Sequence, residues 1–218
     1  MNWLQRLGNY AYSLYFNVRY LPWHQARHIP ILVSPSIRIG ELHRGDIILT
    51  EPVSRAMVSW GFKGVEGRAM RKTYLSIHRG GRLVIKGGVV FLNGTGMVIH
   101  GAIMTIGNHF LCNSDSFFHV TQDVTFGDDC LLGWNVQVNT TDGHRVWLDG
   151  REKQMEYPIV VGNHVWIGAD SLIFKNSVIP DGCIVAQRSL VSKHFVSQES
   201  LIAGTPAKII KEHVKWEH

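Results

Sequence analysis

His144 sits in a polar, turn-forming stretch, Thr140 to Pro158 (TTDGHRVWLDGREKQMEYP), and its type and setting suit proton transfer. An imidazole with an ordinary pKa of about 6.5 can take a proton from a weakly acidic hydroxyl at neutral pH. The plainer reading is that it is one of 12 solvated or structural histidines. An asparagine amide such as that of Asn113 offers both a donor and an acceptor to a hydroxyl or a developing oxyanion. A corner asparagine bonded to its own backbone is the competing account. Asp115 and Asp142 can hold substrate hydroxyls or orient His144, although carboxylates in loops are usually only solvated.

The elements that must position these groups are marked by a beat of six. Val161, Ile167, Ile173, Ile179, Val185 and Val191 stand six residues apart, with Ser171, Ser177, Cys183 and Ser189 each four places after one of them. Neither the helical period nor the strand period explains this run. A β-helix does, since each flat side gives one aliphatic side chain to a shared interior and a small residue sits near each corner. Three sides per coil stack Val161 under Ile179, Ile167 under Val185 and Ile173 under Val191. An earlier run, Ile106, Cys112 and Phe118, then Phe126, Leu132 and Val138, keeps the beat except for a step of eight after Phe118. The step from Val138 to Val161 is no multiple of six, so the stretch Thr140 to Pro158 leaves the coil as an exposed loop.

The expected organisation is all-β, with a helical segment over 1–32, a β-helix over 33–205 carrying the loop 140–158, and a tail over 206–218. Ile37, Ile39, Leu83, Ile85, Val98 and Ile103 suggest irregular early coils whose register the residues leave open. The tail loses the beat and reads as basic and possible to wind into a helix. In the first segment Trp3, Leu4, Leu7, Ala11, Leu14, Tyr15 and Val18 form a helical stripe ending by Pro22. Arg6, Arg19 and Arg27 accompany it, and no acid precedes Leu32. That stripe fits either a cap over the open end of the solenoid or on a neighbouring subunit, or a helix lying on an anionic membrane surface.

The 218 residues suffice for one domain with a substantial core. No run approaches the roughly 18 apolar residues of a membrane span, and no secretory signal pattern is present, so a cytoplasmic setting is expected, with peripheral contact at the inner membrane surface if the helix binds lipid. The net charge of +5 favours anionic ligands or surfaces. No nucleic-acid motif accompanies it. Cys112 falls on an inward beat and Cys130 and Cys183 at small-residue positions, which makes all three structural thiols rather than a disulfide frame or zinc knuckle.

The stretch VGNHVWIGADSLIFKNSVIPDGCIVAQRSLVSK, followed by LIAGTPAKII, resembles the hexapeptide-repeat acyltransferases, especially sugar O-acetyltransferases of the galactoside and maltose acetyltransferase type. The likeness runs from Ile106 to Ile210. It implies a left-handed parallel β-helix, a homotrimer with active sites between subunits, and acetyl-CoA as acyl donor with no metal. His144 then matches the catalytic histidine of a T-G-H sequence at the foot of the excursion, with one extra residue in the segment. Asn113 matches the acceptor-pocket asparagine of IG-x-x-F-x-x-N.

The same resemblance implies a coenzyme A site. Trp166, Gly168 and Ala169 match the VWIG element that flanks and bonds the pantetheine arm. Ala186 and Gln187, about one coil above, continue that wall. Ser192 and Lys193 match the T/S-K pair and Lys208 the basic residue after the proline, both suited to phosphate or adenine contact. Two departures stand out. Lys175-Asn176 replaces the usual Pro-Gly, and Arg188 replaces a small residue, where it can narrow the groove or meet a phosphate.

The function implied is transfer of acetyl from acetyl-CoA to a sugar or glycan hydroxyl, as in polysaccharide or surface-glycan O-acetylation. N-acetylation of an amino (nucleotide) sugar is equally compatible with the residues. Two other classes compete. A γ-type carbonic anhydrase would use three histidines for zinc, and His100, His109, His119 and His144 invite that test, although Asp149 stands where a second histidine is expected. A non-catalytic solenoid would need no base at the loop.

Overall fold

The computed structural model describes residues 3–50, 52–62 and 71–217. Among these, nearly all strands lie in three parallel sheets of nine, seven and six strands, which form the three faces of a β-helical prism. Each coil contributes one strand to each face in turn. In the last coils the pairing follows the beat of six: Val161 pairs with Ile179, Ile167 with Val185 and Ile173 with Val191. All six side chains point inward and are at most 1 % exposed. Each such burial contributes about 1.5–3 kcal/mol, so the column of aliphatics is the main cohesive element of the fold.

The departures from the beat also have visible causes. Ile106 pairs with Phe126, Cys112 with Leu132 and Phe118 with Val138, so the step of eight lengthens the corner without disturbing the stack. The extra corner residues are tied by Thr140, whose hydroxyl oxygen accepts from the Thr121 and Gln122 amides. Phe126, Leu132 and Val138 then pair with Val161, Ile167 and Ile173 across the excursion. Earlier coils are longer and uneven. Ile85 pairs with Ile106 and Leu75 with Met97, whereas Leu49 pairs with Ile85 and Trp60 with Phe91. Large interior side chains fill that broader end, with Trp60, Phe91, Phe110, Phe118 and Phe126 in contact as tilted or edge-on rings.

The small residues at the corners are buried as the beat requires. Ser171, Ser177 and Ser189 are at most 2 % exposed and donate to the carbonyls of Ala186, Val191 and Ala186 respectively. Cys112, Cys130 and Cys183 are buried free thiols, and burial pushes Cys112 and Cys130 up to about 12. Thiols held protonated in this way are inert packing groups.

Both ends of the nine-stranded face are covered. Helix α1 (Trp3–Tyr20), followed by the short α2 (Trp23–Ala26), lies along the first strand, Ile31–Val33. The Asn17 side chain accepts from the Ile31 amide at 3.1 Å and donates to the Ile31 carbonyl at 2.7 Å. Ser13 accepts from the Val33 amide and donates to its carbonyl. The helix therefore caps the solenoid, but with the face that carries Ser13, Phe16 and Asn17. The apolar stripe expected to do the capping faces away, with Trp3 71 % and Leu7 59 % exposed. A helix can satisfy an open strand edge only through polar side chains, and Ser13 and Asn17 supply them on the inner face, whereas the stripe is almost wholly aliphatic and aromatic.

At the other end the tail is a strand rather than a helix. Ala207–Lys211 turns back antiparallel on Leu201–Gly204, extending the nine-stranded face. Trp216 then docks on His164: the rings stack at 4.3 Å, the indole N–H donates to the His164 carbonyl, and the imidazole Nε2 lies 3.0 Å from the Trp216 carbonyl. No helix among the described residues is long and apolar enough to cross a membrane.

Candidate active site

The corner between the nine-stranded and seven-stranded faces carries a narrow groove of about 310 Å³. Its floor comes from outward-facing residues one place before the inward beat: Leu131 pairs with Trp166, and Trp166 with Ile184. Its wall comes from the corners themselves. Asn113, Trp166, Gly168, Ala169, Ala186 and Gln187 all line it. Six residues singled out from the sequence thus meet in one place. Gly133 and Trp134, also in the lining, were not among them.

Glycine is required at Gly168 by close approach. A Cβ there would lie 2.5 Å from the Gln187 nitrogen and 2.9 Å from its Cα, backbone atoms with no room to yield. Gly133 faces the same constraint one coil below, where a Cβ would stand 2.6 Å from the Ala169 nitrogen. At these two positions the corner presents bare backbone to the groove. Trp166 is 39 % exposed at the groove edge, with the Trp216 ring 6.1 Å away. Asn113 is half-buried and donates one amide hydrogen to the Leu132 carbonyl at 2.8 Å.

Above the groove, Lys208 is exposed on the terminal strand, opposite Ala203. Arg188 projects at the same corner with its Nε 3.9 Å from Asp170. Asp115, Asn135, Asp170 and Arg188 all adopt left-handed backbone conformations, with φ of 65°, 53°, 60° and 59°. They form a column along this corner, tied in part by the Asn135 amide donating to Asp170 at 2.9 Å. Asp and Asn tolerate this conformation better than most residues. Asp115 is buried and accepts from the Arg71 amide at 2.9 Å, which gives it a structural task at the corner.

The excursion rises from a different corner, between the seven-stranded and six-stranded faces. Its tip is an exposed antiparallel hairpin, Val146–Leu148 with Arg151–Lys153. Arg145 grips Glu152 through two N–H···O contacts of 2.6 and 2.7 Å, which hold that carboxyl below its usual range. His144 is exposed just before the hairpin. The foot of the loop is fixed by Lys175, whose ammonium donates to Asp142 at 2.5 Å and to the Gln154 and Met155 carbonyls at 2.8 and 3.0 Å. The departure Lys175-Asn176 thereby acquires a purpose: Lys175 anchors the loop, and Asn176 takes the left-handed turn (φ 64°) that a glycine would otherwise occupy. Asp142 is engaged by that lysine.

Beneath the loop lies a wider cavity of about 640 Å³, bordered by Asp142, Tyr157, Phe174, Lys175 and Ser192 among others. Lys193 is exposed at the same corner, its ammonium 5.1 Å from the Phe195 ring centre. The candidate residues thus fall into two sets on two corners of one prism. Asn113, the Trp166 group and Lys208 belong to the first; Asp142, His144, Ser192 and Lys193 belong to the second.

The other histidines weighed as metal ligands, His100, His109 and His119, have other partners. His100 stacks on His78 at 4.5 Å and has His119 edge-on at 6.4 Å. Partial burial, reinforced by the charges of His78, Arg79 and His119, pushes the His100 pKa down. His109 pairs with Asp129 at 3.0 Å. Among the described residues no group of three or more His, Cys, Asp or Glu side chains is arranged to hold a metal ion.

Comparison with known proteins gives the arrangement its context. No family model matches the chain. It is 31 % identical over 145 residues to a polysialic acid O-acetyltransferase of Escherichia coli O1:K1 / APEC, covering 66 % of this chain and 44 % of that protein. It is 31 % identical over 115 residues to the galactoside O-acetyltransferase of Escherichia coli K12, covering 52 % of this chain and 56 % of the relative. The chain thus spans about half the length of these relatives. In structure, the polySia-specific acetyltransferase NeuO superposes with a TM-score of 0.63 at 19 % identity, over 86 % of this chain and 73 % of that one. The solenoid is accordingly a left-handed β-helix. In sequence and in fold the chain is similar to the hexapeptide-repeat acetyltransferases.

Proposed function

We propose, taking kinship with the hexapeptide-repeat acyltransferases as the premise, that this chain moves an acetyl group from acetyl-CoA to a hydroxyl of a sugar or glycan precursor. The observation that carries this reading is the groove itself, where Asn113, Trp166, Gly168, Ala169, Ala186 and Gln187 converge. Its apolar floor and bare corner backbone suit the pantetheine arm. Arg188 and Lys208 near one end supply cations for phosphate. The bound thioester would bring the activated acyl group.

His144 is the general base. Exposed on a pinned loop, it takes the acceptor hydroxyl proton as the oxygen attacks the acyl carbon; the C–S bond of the thioester then breaks, and coenzyme A leaves as the thiol with that proton returned to its sulfur. Asn113 steadies the acceptor or the oxyanion from the groove side. Positioning contributes about 7 kcal/mol or more to such a transfer.

The two sets of residues occupy two corners of the prism, so a complete site forms when the loop corner of one chain meets the groove corner of another. A homotrimer closes that arrangement with three equivalent sites. The groove would then be a cleft between subunits, with Lys193 and Ser192 contributed from the loop side.

Calorimetric titration with coenzyme A, run beside an acetyl-transfer assay over a panel of sugars, tests the reading. Wild-type protein is expected to bind coenzyme A. The His144→Ala variant should keep that affinity while turnover falls by about 10²- to 10⁴-fold. Absence of binding by the folded protein sinks the donor site. Parallel loss of binding and turnover in the variant sinks the role given to His144.

A further inference from the structure

Helix α1 divides its residues in an unusual way. The face against the solenoid is the narrow one, with Ser13, Phe16 and Asn17 fully buried. The opposite face is large and apolar. Trp3, Leu4, Leu7, Leu14, Tyr15 and Val18 are between 39 and 71 % exposed. A cap on a repeat protein ordinarily turns a polar face outward, because that is what keeps the end soluble. Here the outward face is the more hydrophobic of the two, so the cap has a second partner.

Charge selects that partner. No acidic residue occurs before Glu41, whereas Arg6, Arg19 and Arg27 lie in or just after the two helices. Arg44 joins them from the neighbouring coil by donating to the Val18 and Leu21 carbonyls at the end of α1. A shallow cavity on the outer side is lined by Ala11, Leu14, Tyr15, Val18, Arg19 and Arg44, aliphatic and cationic together. A second copy of this face would bring Arg19 and Arg44 against their own counterparts. An anionic lipid surface brings phosphates to the arginines and acyl chains to the leucines. The tryptophans agree: Trp3 opens α1 and Trp23 opens α2, 71 and 68 % exposed, and indoles favour the headgroup boundary. Among the described residues no helix, α1 included, is long and apolar enough to cross a bilayer, so on a membrane α1 would lie in the plane of the interface.

We infer that α1 is an interfacial anchor that sets the broad, N-terminal end of the solenoid on an anionic membrane. This anchoring stands whether or not the groove accepts coenzyme A. The test is co-sedimentation of the full chain with large vesicles of phosphatidylcholine alone and of phosphatidylcholine mixed with phosphatidylglycerol. Wild-type protein is expected to pellet with the mixed vesicles, to release at high salt, and to stay in solution with the neutral ones. The double variant Leu7→Glu/Leu14→Glu changes only exposed positions, so its thermal midpoint should match wild type while its partition coefficient falls roughly tenfold per leucine. Arg6→Glu/Arg19→Glu should abolish the preference for anionic lipid. Failure of wild type to pellet with either vesicle overturns the inference, as does equal pelleting by the leucine variant. Concentration-dependent self-association that the leucine variant abolishes, without vesicle binding, assigns the face to a second copy and equally overturns it.

Discussion

Lys175 shows how much a single side chain can decide. Mostly withdrawn from water, it gives one donor to a carboxylate and two to backbone carbonyls at the foot of the excursion. Hydrogen bonds to charged groups contribute about 1.5–3 kcal/mol each when well formed. In Lys175→Met the stem still packs but Asp142 loses its cation. Trypsin is then expected to cut the loop at Arg145, Arg151 or Lys153 faster than in wild type, and turnover to fall while coenzyme A affinity holds. Unchanged cleavage and turnover would show the anchor to be idle. Lys175 was visible in the sequence only as a departure from Pro-Gly. Its partner was hidden because the excursion breaks the spacing that relates one coil to the next. Asp115 shows the converse. An acid two residues from Asn113 reads as a sugar ligand, and its left-handed φ and the bond it accepts from the Arg71 amide add corner work that no spacing reveals.

Elements were legible wherever a fixed period governed them. The eighteen-residue stacking of Val161, Ile167 and Ile173 could be read directly, because each coil there has three equal sides. The early coils could not. Pairings such as Leu49 with Ile85 and Trp60 with Phe91 depend on corner insertions of unequal length, which leave no period. Amphipathicity marked a helix whose stripe suits a cap or a membrane surface, but not the face that meets the solenoid, because the deciding contacts there are polar, with Phe16 buried beside them and Tyr12 and Tyr20 packed partly against the core. Asn17→Ala tests this directly. It strips both hydrogen bonds from the Ile31 peptide edge, and should lower stability by about 1–3 kcal/mol in urea unfolding. Leu4→Ser, on the outer face, should leave the transition where it was. The Trp216 dock was likewise unreadable, because His164 lies far away in sequence and nothing periodic joins them.

At the scale of the molecule, the proposed division of the site between two corners would make activity a property of the assembly. Mixing His144→Ala chains with chains whose groove is filled by Ala169→Trp provides the check. Each variant alone should be inactive. Randomly mixed trimers should regain activity at about a quarter of their sites, because some interfaces pair an intact loop with an intact groove. No recovery, with both variants folded and trimeric, would place the whole site within one chain. The covered ends of the nine-stranded face have a different consequence. Stacked parallel coils are a template for indefinite growth, since the last strand presents the same unpaired peptide groups as the one before it. Ser13 and Asn17 occupy that edge at one end, and the reversed strand Ala207–Lys211 changes its direction at the other. Stripped of either closure, the same architecture would be a monomer for a fibril.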